Sequence, residues 1–154
     1  MSIIDFPGNK NSQQNSNKQK NKDENTIPSQ KPYLVRAIYD WCSDYGYKPY
    51  LAVAVDKFTR VPNEFVSNGQ IVLNINREAV NKLEISNDYV YFWARFSGVE
   101  SEIFIPIGRV IAIYAKENGV GMQFMPEDSP YDDDDNNPNN PNLTIRKILT
   151  FSND

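Results

Sequence analysis

The chain has no histidine and a single cysteine, Cys42, among its 154 residues. Without histidine, the commonest general base and the commonest metal ligand are both missing. A Ser-His-Asp or Cys-His arrangement is therefore excluded, and one thiol alone gives no expectation of a structural zinc site. A lone cysteine forms no intrachain disulfide, which fits a reducing cytoplasm. No apolar run approaches the ~20 residues that a membrane-spanning helix needs. Residues 1–6 lack the basic, apolar and cleavage regions of a signal peptide. No glycine-rich phosphate loop is present either, because Gly119-Val120-Gly121 is too short and reads as a hairpin. Paired carboxylates occur only in the acidic run 132–135, where nothing holds them in fixed geometry. Such a run binds divalent cations loosely and without selectivity. These absences lead us to expect no catalytic residue, no metal site and no cofactor in the body of the protein.

What is present is a normal share of core residues inside a very polar chain. Hydrophobic residues make up 40% of the sequence, yet the mean hydropathy is -0.60. A single globular domain flanked by polar tails accounts for both. The net charge is -4 and the isoelectric point is about 4.9. Such a chain repels phosphate backbones, so neither nucleic acid nor a membrane surface is an expected partner.

The densest aromatic run is Tyr89-Val90-Tyr91-Phe92-Trp93-Ala94-Arg95-Phe96. Its residue types fit a pleated, half-buried surface, so it reads as a strand with side chains alternating in direction. Val90, Phe92, Ala94 and Phe96 form a core row. Tyr89, Tyr91, Trp93 and Arg95 form a second row, too aromatic for solvent and too polar for a core. The second row suggests a surface that receives something. Asn87-Asp88 before the run and Ser97-Gly98 after it are turn residues, which predicts the middle strand of a meander.

Around that strand the chain divides by composition. Residues 1–30 are rich in Asn, Gln and Lys and have little to bury, so a disordered tail is expected. Ser29 and Pro32 are helix-start signals and Gly46 is a stop, which places a helix at about 32–45. Leu34, Ile38, Trp41, Cys42 and Tyr45 recur at helical spacing. Tyr33, Ala37 and Tyr39 widen that apolar arc. Two readings are open: the sheet covers the whole arc, or part of it faces a second subunit. Cys42 reads as a small core residue.

Strands follow at 50–56, 70–75, 83–85, 99–107, 111–116 and 121–125, with short turns at 64–66, 76–80 and 106–110. Ala52 and Ala54 form a row small enough to admit another backbone. In the second strand both rows are apolar, which predicts a strand buried on both sides or central in its sheet. Short strands joined by tight turns predict a small barrel or a strongly bent sheet. Composition changes at Pro126. An acidic, Asn/Pro-rich linker leads to an apolar-basic island at 143–149. Two readings are open here too: a short linear motif that docks on a partner, or a last strand folded back on the body. Self-repulsion in the acidic linker favours an island held off the body.

Lys31-Pro32-Tyr33-Leu34-Val35-Arg36-Ala37 with Asp40-Trp41, the run from Gly69 to Ile75, Ala94-Arg95-Phe96, and the run from Ala112 to Gly119 stand in an order that resembles the stringent starvation protein B (SspB) family. The resemblance covers about 31–127. It implies a mostly β fold, an N-terminal helix on a bent antiparallel Sm-like (SH3-like) barrel, with disordered tails. It also implies a function without chemistry. The family is the adaptor that enhances the specificity of the ClpXP protease: each barrel binds the ssrA tag in a groove, and the C-terminal tail binds the N-terminal domain of ClpX. The division implied is a tail at 1–30, a tag-binding and dimerisation domain at 31–126, a linker at 127–142 and a docking motif at 143–154.

Carried onto this chain, the tag groove would use Arg95 as its cation, Ala79, Ala94 and Phe96 as walls, and Met122 and Phe124 as a cover. Trp93 joins this set from the aromatic outer row alone. The homodimer would form through Tyr33, Leu34, Ala37, Ile38 and Trp41. The docking tail would present Leu143, Ile145, Arg146, Lys147, Ile148 and Leu149. The chain departs from the family pattern in a shorter linker, spanning roughly 20–25 Å if flexible, in five residues that follow the island, and in its long N-terminus. The alternative function is an Sm-like RNA-binding module, in which aromatics beside Arg95 would stack on bases.

Overall fold

The computed structural model describes residues 27–131 and 140–151. Expectations that fall on 1–26, 132–139 and 152–154, including the disordered N-terminal tail and the acidic run, lie outside the described residues.

Helix α1 spans Lys31–Tyr45, with proline in its first turn and Gly46 in the left-handed conformation (φ 73°) as its stop. The Gly46 stop is the one the sequence predicts, because only glycine reaches that conformation without strain from a Cβ. The strands are β1 (Pro49–Ala54), β2 (Gln70–Asn74), β3 (Val80–Ile85), β4 (Tyr89–Phe96), β5 (Val99–Pro106), β6 (Val110–Ala115) and β7 (Gly121–Gln123). Short 3₁₀ turns at Asn63–Phe65 and Ile107–Arg109 stand where the sequence places turns. Helix α2 spans Pro141–Phe151.

The strands form two antiparallel sheets, a four-stranded one in the order β2-β1-β6-β7 and a three-stranded one in the order β3-β4-β5. The expected meander is present, with β4 between β3 and β5. The expected closed barrel is not. Among the described residues, one isolated bridge, Arg60 with Phe104, links the loop after β1 to β5. A barrel needs every edge paired. Here β3 and β7 end their sheets without a ladder between them.

Strand β2 is also not central. It is an edge strand whose side chains alternate exposed and buried. Ile71 and Leu73 enter the core while Val72 is 54% exposed. A run of apolar residues on both rows does not distinguish a central strand from an edge strand with one exposed valine.

The main core lies between the sheets and under α1. Leu51 and Val53 of β1, Val90 and Phe92 of β4, Ile103 and Ile105 of β5, and Val110 and Ile113 of β6 are its centre. Val35 is the helix residue in that cluster, with Ile38 and Tyr39 packed beside it. The buried residues of α1 are Lys31, Pro32, Val35 and Cys42, so Cys42 is the core residue expected. The buried stripe is rotated from the expected one. Leu34 and Trp41 are half-buried, Ala37 is exposed and Tyr45 is 71% exposed.

Lys31 explains the rotation. Its side chain is 5% exposed, and its Nζ donates to the carbonyls of Gly108, Val110 and Met125 at 3.0, 3.1 and 2.8 Å. Three acceptors satisfy all three ammonium protons, which is what makes a buried lysine tolerable. Burial holds its pKa below the ordinary lysine range, with Glu127 opposing the shift and Arg109 adding to it.

Candidate functional site

Strand β4 decides where candidate residues fall, because alternate side chains leave it in opposite directions. On the inner side Val90 and Phe92 are fully buried, and Ala94 and Phe96 pack against the same core toward the strand's end. On the outer side Tyr91 is 1% exposed and forms a second cluster with Phe104 and Ile145, flanked by Tyr89, Trp93, Tyr131 and Ile148.

The seven expected tag residues lie in three places. Ala79, Ala94, Arg95 and Phe96 belong to the end of the three-stranded sheet. Val80 pairs with Ala94, Arg95 with Glu100 and Phe96 with Val99, so Ala79 lies one residue beyond the Val80–Ala94 rung. Ala79 and Arg95 are exposed there. Phe96 is half-buried, its ring 5.4 Å from that of Phe65 in the turn after β1. This end offers an apolar wall, two small residues and an open cation.

Met122 and Phe124 instead line a cavity of about 680 Å³ on the four-stranded sheet, with Ala52, Ala54 and Ala112 at its floor. Ala52 is the register partner of both Val72 and Ala112, and Ala112 pairs with Gln123. The rung that crosses the sheet thus has two alanines at its centre. The expected opening over Ala52 and Ala54 is there. At Gly121 an added Cβ would sit 2.0 Å from the Ile113 carbonyl oxygen, so only glycine lets β7 close on β6. Tyr50 and Tyr114, with ring centroids 6.1 Å apart, stand beside the same floor.

Trp93 does not join either group. Its indole N–H donates to the Tyr91 hydroxyl at 2.9 Å, and that hydroxyl donates to Glu102 at 2.8 Å. Burial, then the bond to Glu102, pushes the Tyr91 phenol up to about 12. Tyr89 is pushed up to about 12 by burial and by its bond to Glu84. Burial also raises Tyr131 above the ordinary tyrosine range. None of these phenols is poised to exchange protons near neutrality.

The outer face does receive something: the chain's own C-terminal helix. The expectation that the island stays off the body is corrected here. Asn140 and Pro141 start α2, with the Asn142 amide donating to the Asn140 side-chain oxygen at 2.8 Å. That is an N-cap followed by proline at the first helical position. The Asn/Pro composition that suggested linker alone contained this signal. Ile145 is 4% exposed against Tyr91 and Phe104, Ile148 is half-buried and Arg146 is exposed. The side chains of Leu143, Lys147 and Leu149 lie outside the described residues.

Two further anchors had no local signal. The Tyr131 ring stands 6.0 Å from Phe58 and 5.7 Å from Phe104. Asp56 accepts from the Ser129 hydroxyl and stands 3.6 Å from Arg109. Residues after Pro126 therefore pack on the body, although their composition reads as linker.

Among the described residues no cluster of His, Cys, Asp or Glu could hold a metal ion, and no helix is long and apolar enough to cross a membrane. The arrangement defines a class: a small β protein of two antiparallel sheets with an N-terminal helix. The chain matches the model of the stringent starvation protein B family over residues 29–147 and belongs to that family. It is 50% identical over 99 residues to a stringent starvation protein B homolog of Haemophilus influenzae, covering 64% of this chain and 66% of the relative. The match thus spans just under two thirds of that relative's length.

Proposed function

We propose that the protein is a proteolytic adaptor without catalytic activity of its own. Its body binds the ssrA tag of incompletely made proteins, its C-terminal segment docks on the N-terminal domain of ClpX, and degradation by ClpXP is enhanced as a result. The observation that carries this reading is the family match over 29–147. Tethering supplies the mechanism. When body and tail engage at once, substrate capture becomes intramolecular, with effective concentrations in the millimolar range for short linkers. ATP hydrolysis and proteolysis belong to the partner.

The tag groove is assigned to the end of the three-stranded sheet. Arg95 is its open cation, Ala79 and Ala94 permit close approach of the tag backbone, and Phe96 is its apolar wall. Met122 and Phe124 offer a second surface on the neighbouring sheet. The homodimer forms through α1, whose Tyr33 is 58% exposed, with Leu34, Ala37, Ile38 and Trp41 beside it. A helix face that its own sheet leaves partly uncovered supports that interface. The compartment is the cytoplasm.

A fluorescence-anisotropy titration with an ssrA peptide tests the function. Micromolar or tighter binding is expected, with no shift of RNA in a parallel gel assay; RNA binding without peptide binding would overturn the adaptor reading. Arg95→Gln is expected to weaken the peptide complex and leave the fold intact.

A further inference from the structure

The docking motif has a place to rest on its own body. The outer face of β4 and β5 presents Tyr91 and Phe104, with Tyr89 stacked on Phe104 at 5.5 Å and 29° between ring planes. Ile145 of α2 is buried there and Ile148 packs beside it. Those two side chains are one helical turn apart and share a face. The start of α2 is fixed as well, by the buried Asn140 cap.

We propose that the aromatic face of β4 and β5 is the resting dock of α2, and that this contact masks the segment's partner-binding stripe until ClpX displaces it. The inference rests on the docking role assigned to 143–149 under Proposed function. Its physical basis is exclusion. Ile145 cannot be buried against Tyr91 and in a partner's groove at the same time. Whatever stabilises the intramolecular contact therefore weakens the intermolecular one by the same factor. Burying one isoleucine side chain corresponds to roughly a tenfold effect or more. The face also accounts for the aromatic outer row, which an ordinary solvent-exposed strand would not carry. A tail released only on contact with ClpX would be protected from other partners and from proteolysis while idle.

The test compares the full chain with a synthetic peptide of residues 140–154. Hydrogen exchange at the amides of 143–149 is expected to be at least about tenfold slower in the chain than in the peptide. Tyr89→Ala should bring the chain's rate toward the peptide's. Tyr131→Ala, outside the strands, should do the same with the sheet undisturbed. Equal rates in unmodified chain and peptide overturn the inference.

Binding to ClpX is then measured for both. The free peptide is expected to bind roughly tenfold more tightly than the tail of the intact chain, and Tyr89→Ala should narrow that gap. Equal affinity overturns the masking and leaves the docking reading in place. Protection in the chain with no ClpX binding by either molecule overturns the docking reading, and the masking with it.

Discussion

Val90 and Phe92 leave one side of β4; Tyr91 and Trp93 leave the other. The inner residues are hydrocarbon, buried by the opposite sheet and by α1, and carry no polar atom that needs a partner. The outer residues are as large, Tyr91 buried and Trp93 half-buried, but each carries a polar atom. Those atoms are tied in series, from Trp93 to Tyr91 to Glu102, and the face is covered by α2 together with Tyr131. An inner face of this kind gains free energy from area alone. The outer face gains from area only while its hydrogen bonds hold, and its cover is a short helix that can leave. One strand thus serves a permanent core and a reversible contact.

The largest expected effect belongs to the inner face. Phe92→Ala should destabilise the protein by about 3–5 kcal/mol, read from denaturant unfolding. A loss under about 1 kcal/mol would mean that the inner face is no more essential than the outer one.

Raising the pH separates the faces without a mutation. The folded-state pKa of Tyr91 is raised from 10.0 to about 12. The neutral phenol is thus favoured by folding, and its contribution is fully present below pH 10 and lost as pH rises through 12. As pH rises between these values, tyrosinate absorbance should increase while the unfolding midpoint falls in the unmodified protein, and the midpoint should fall less steeply in Tyr91→Phe. A midpoint independent of pH in this window would detach the outer face from stability.

A smaller effect is expected from Tyr91→Phe at neutral pH, about 1 kcal/mol for the loss of one hydroxyl that both donates and accepts. The smallest should come from Arg95→Gln. Arg95 is exposed, so its replacement should shift the unfolding midpoint by less than about 0.5 kcal/mol. A larger shift would make Arg95 a structural residue and undercut its place in the tag groove.

The parts legible in sequence are those with local causes. Pro32 and Gly46 bound α1 because a fixed φ and a left-handed stop are properties of those residues themselves. Ser97-Gly98 closes the β4–β5 hairpin with both residues at positive φ, 50° and 81°. The buried side of α1 was not legible, because it depends on the acceptors that meet the Lys31 ammonium. Those come from residues 108, 110 and 125.

The candidate site divides in the same way. Ala79, Ala94, Arg95 and Phe96 share one end of the three-stranded sheet through strand register, which turn residues foreshadow, with Arg95 on the face opposite Ala94 and Phe96. The separation of Met122 and Phe124 from them follows from the two sheets remaining open toward each other, and no local pattern encodes closure. The fate of the tail turned on a competition. Its apolar-basic island reads in sequence as a motif for a partner's groove, yet Ile145 and Ile148, one turn apart, pack on the aromatic face. Only the folded arrangement shows that face within reach.

The sequence by itself determined a chemistry without histidine, a single thiol, the N-terminal helix and the strands, and a two-faced β4, because composition and alternation are properties of the chain. The tertiary structure alone decided that the sheets stay separate, that Lys31 is a core residue, and that the second face of β4 is covered by α2. Each of those depends on groups distant in sequence, whose meeting is governed by burial and hydrogen-bond satisfaction across the whole molecule.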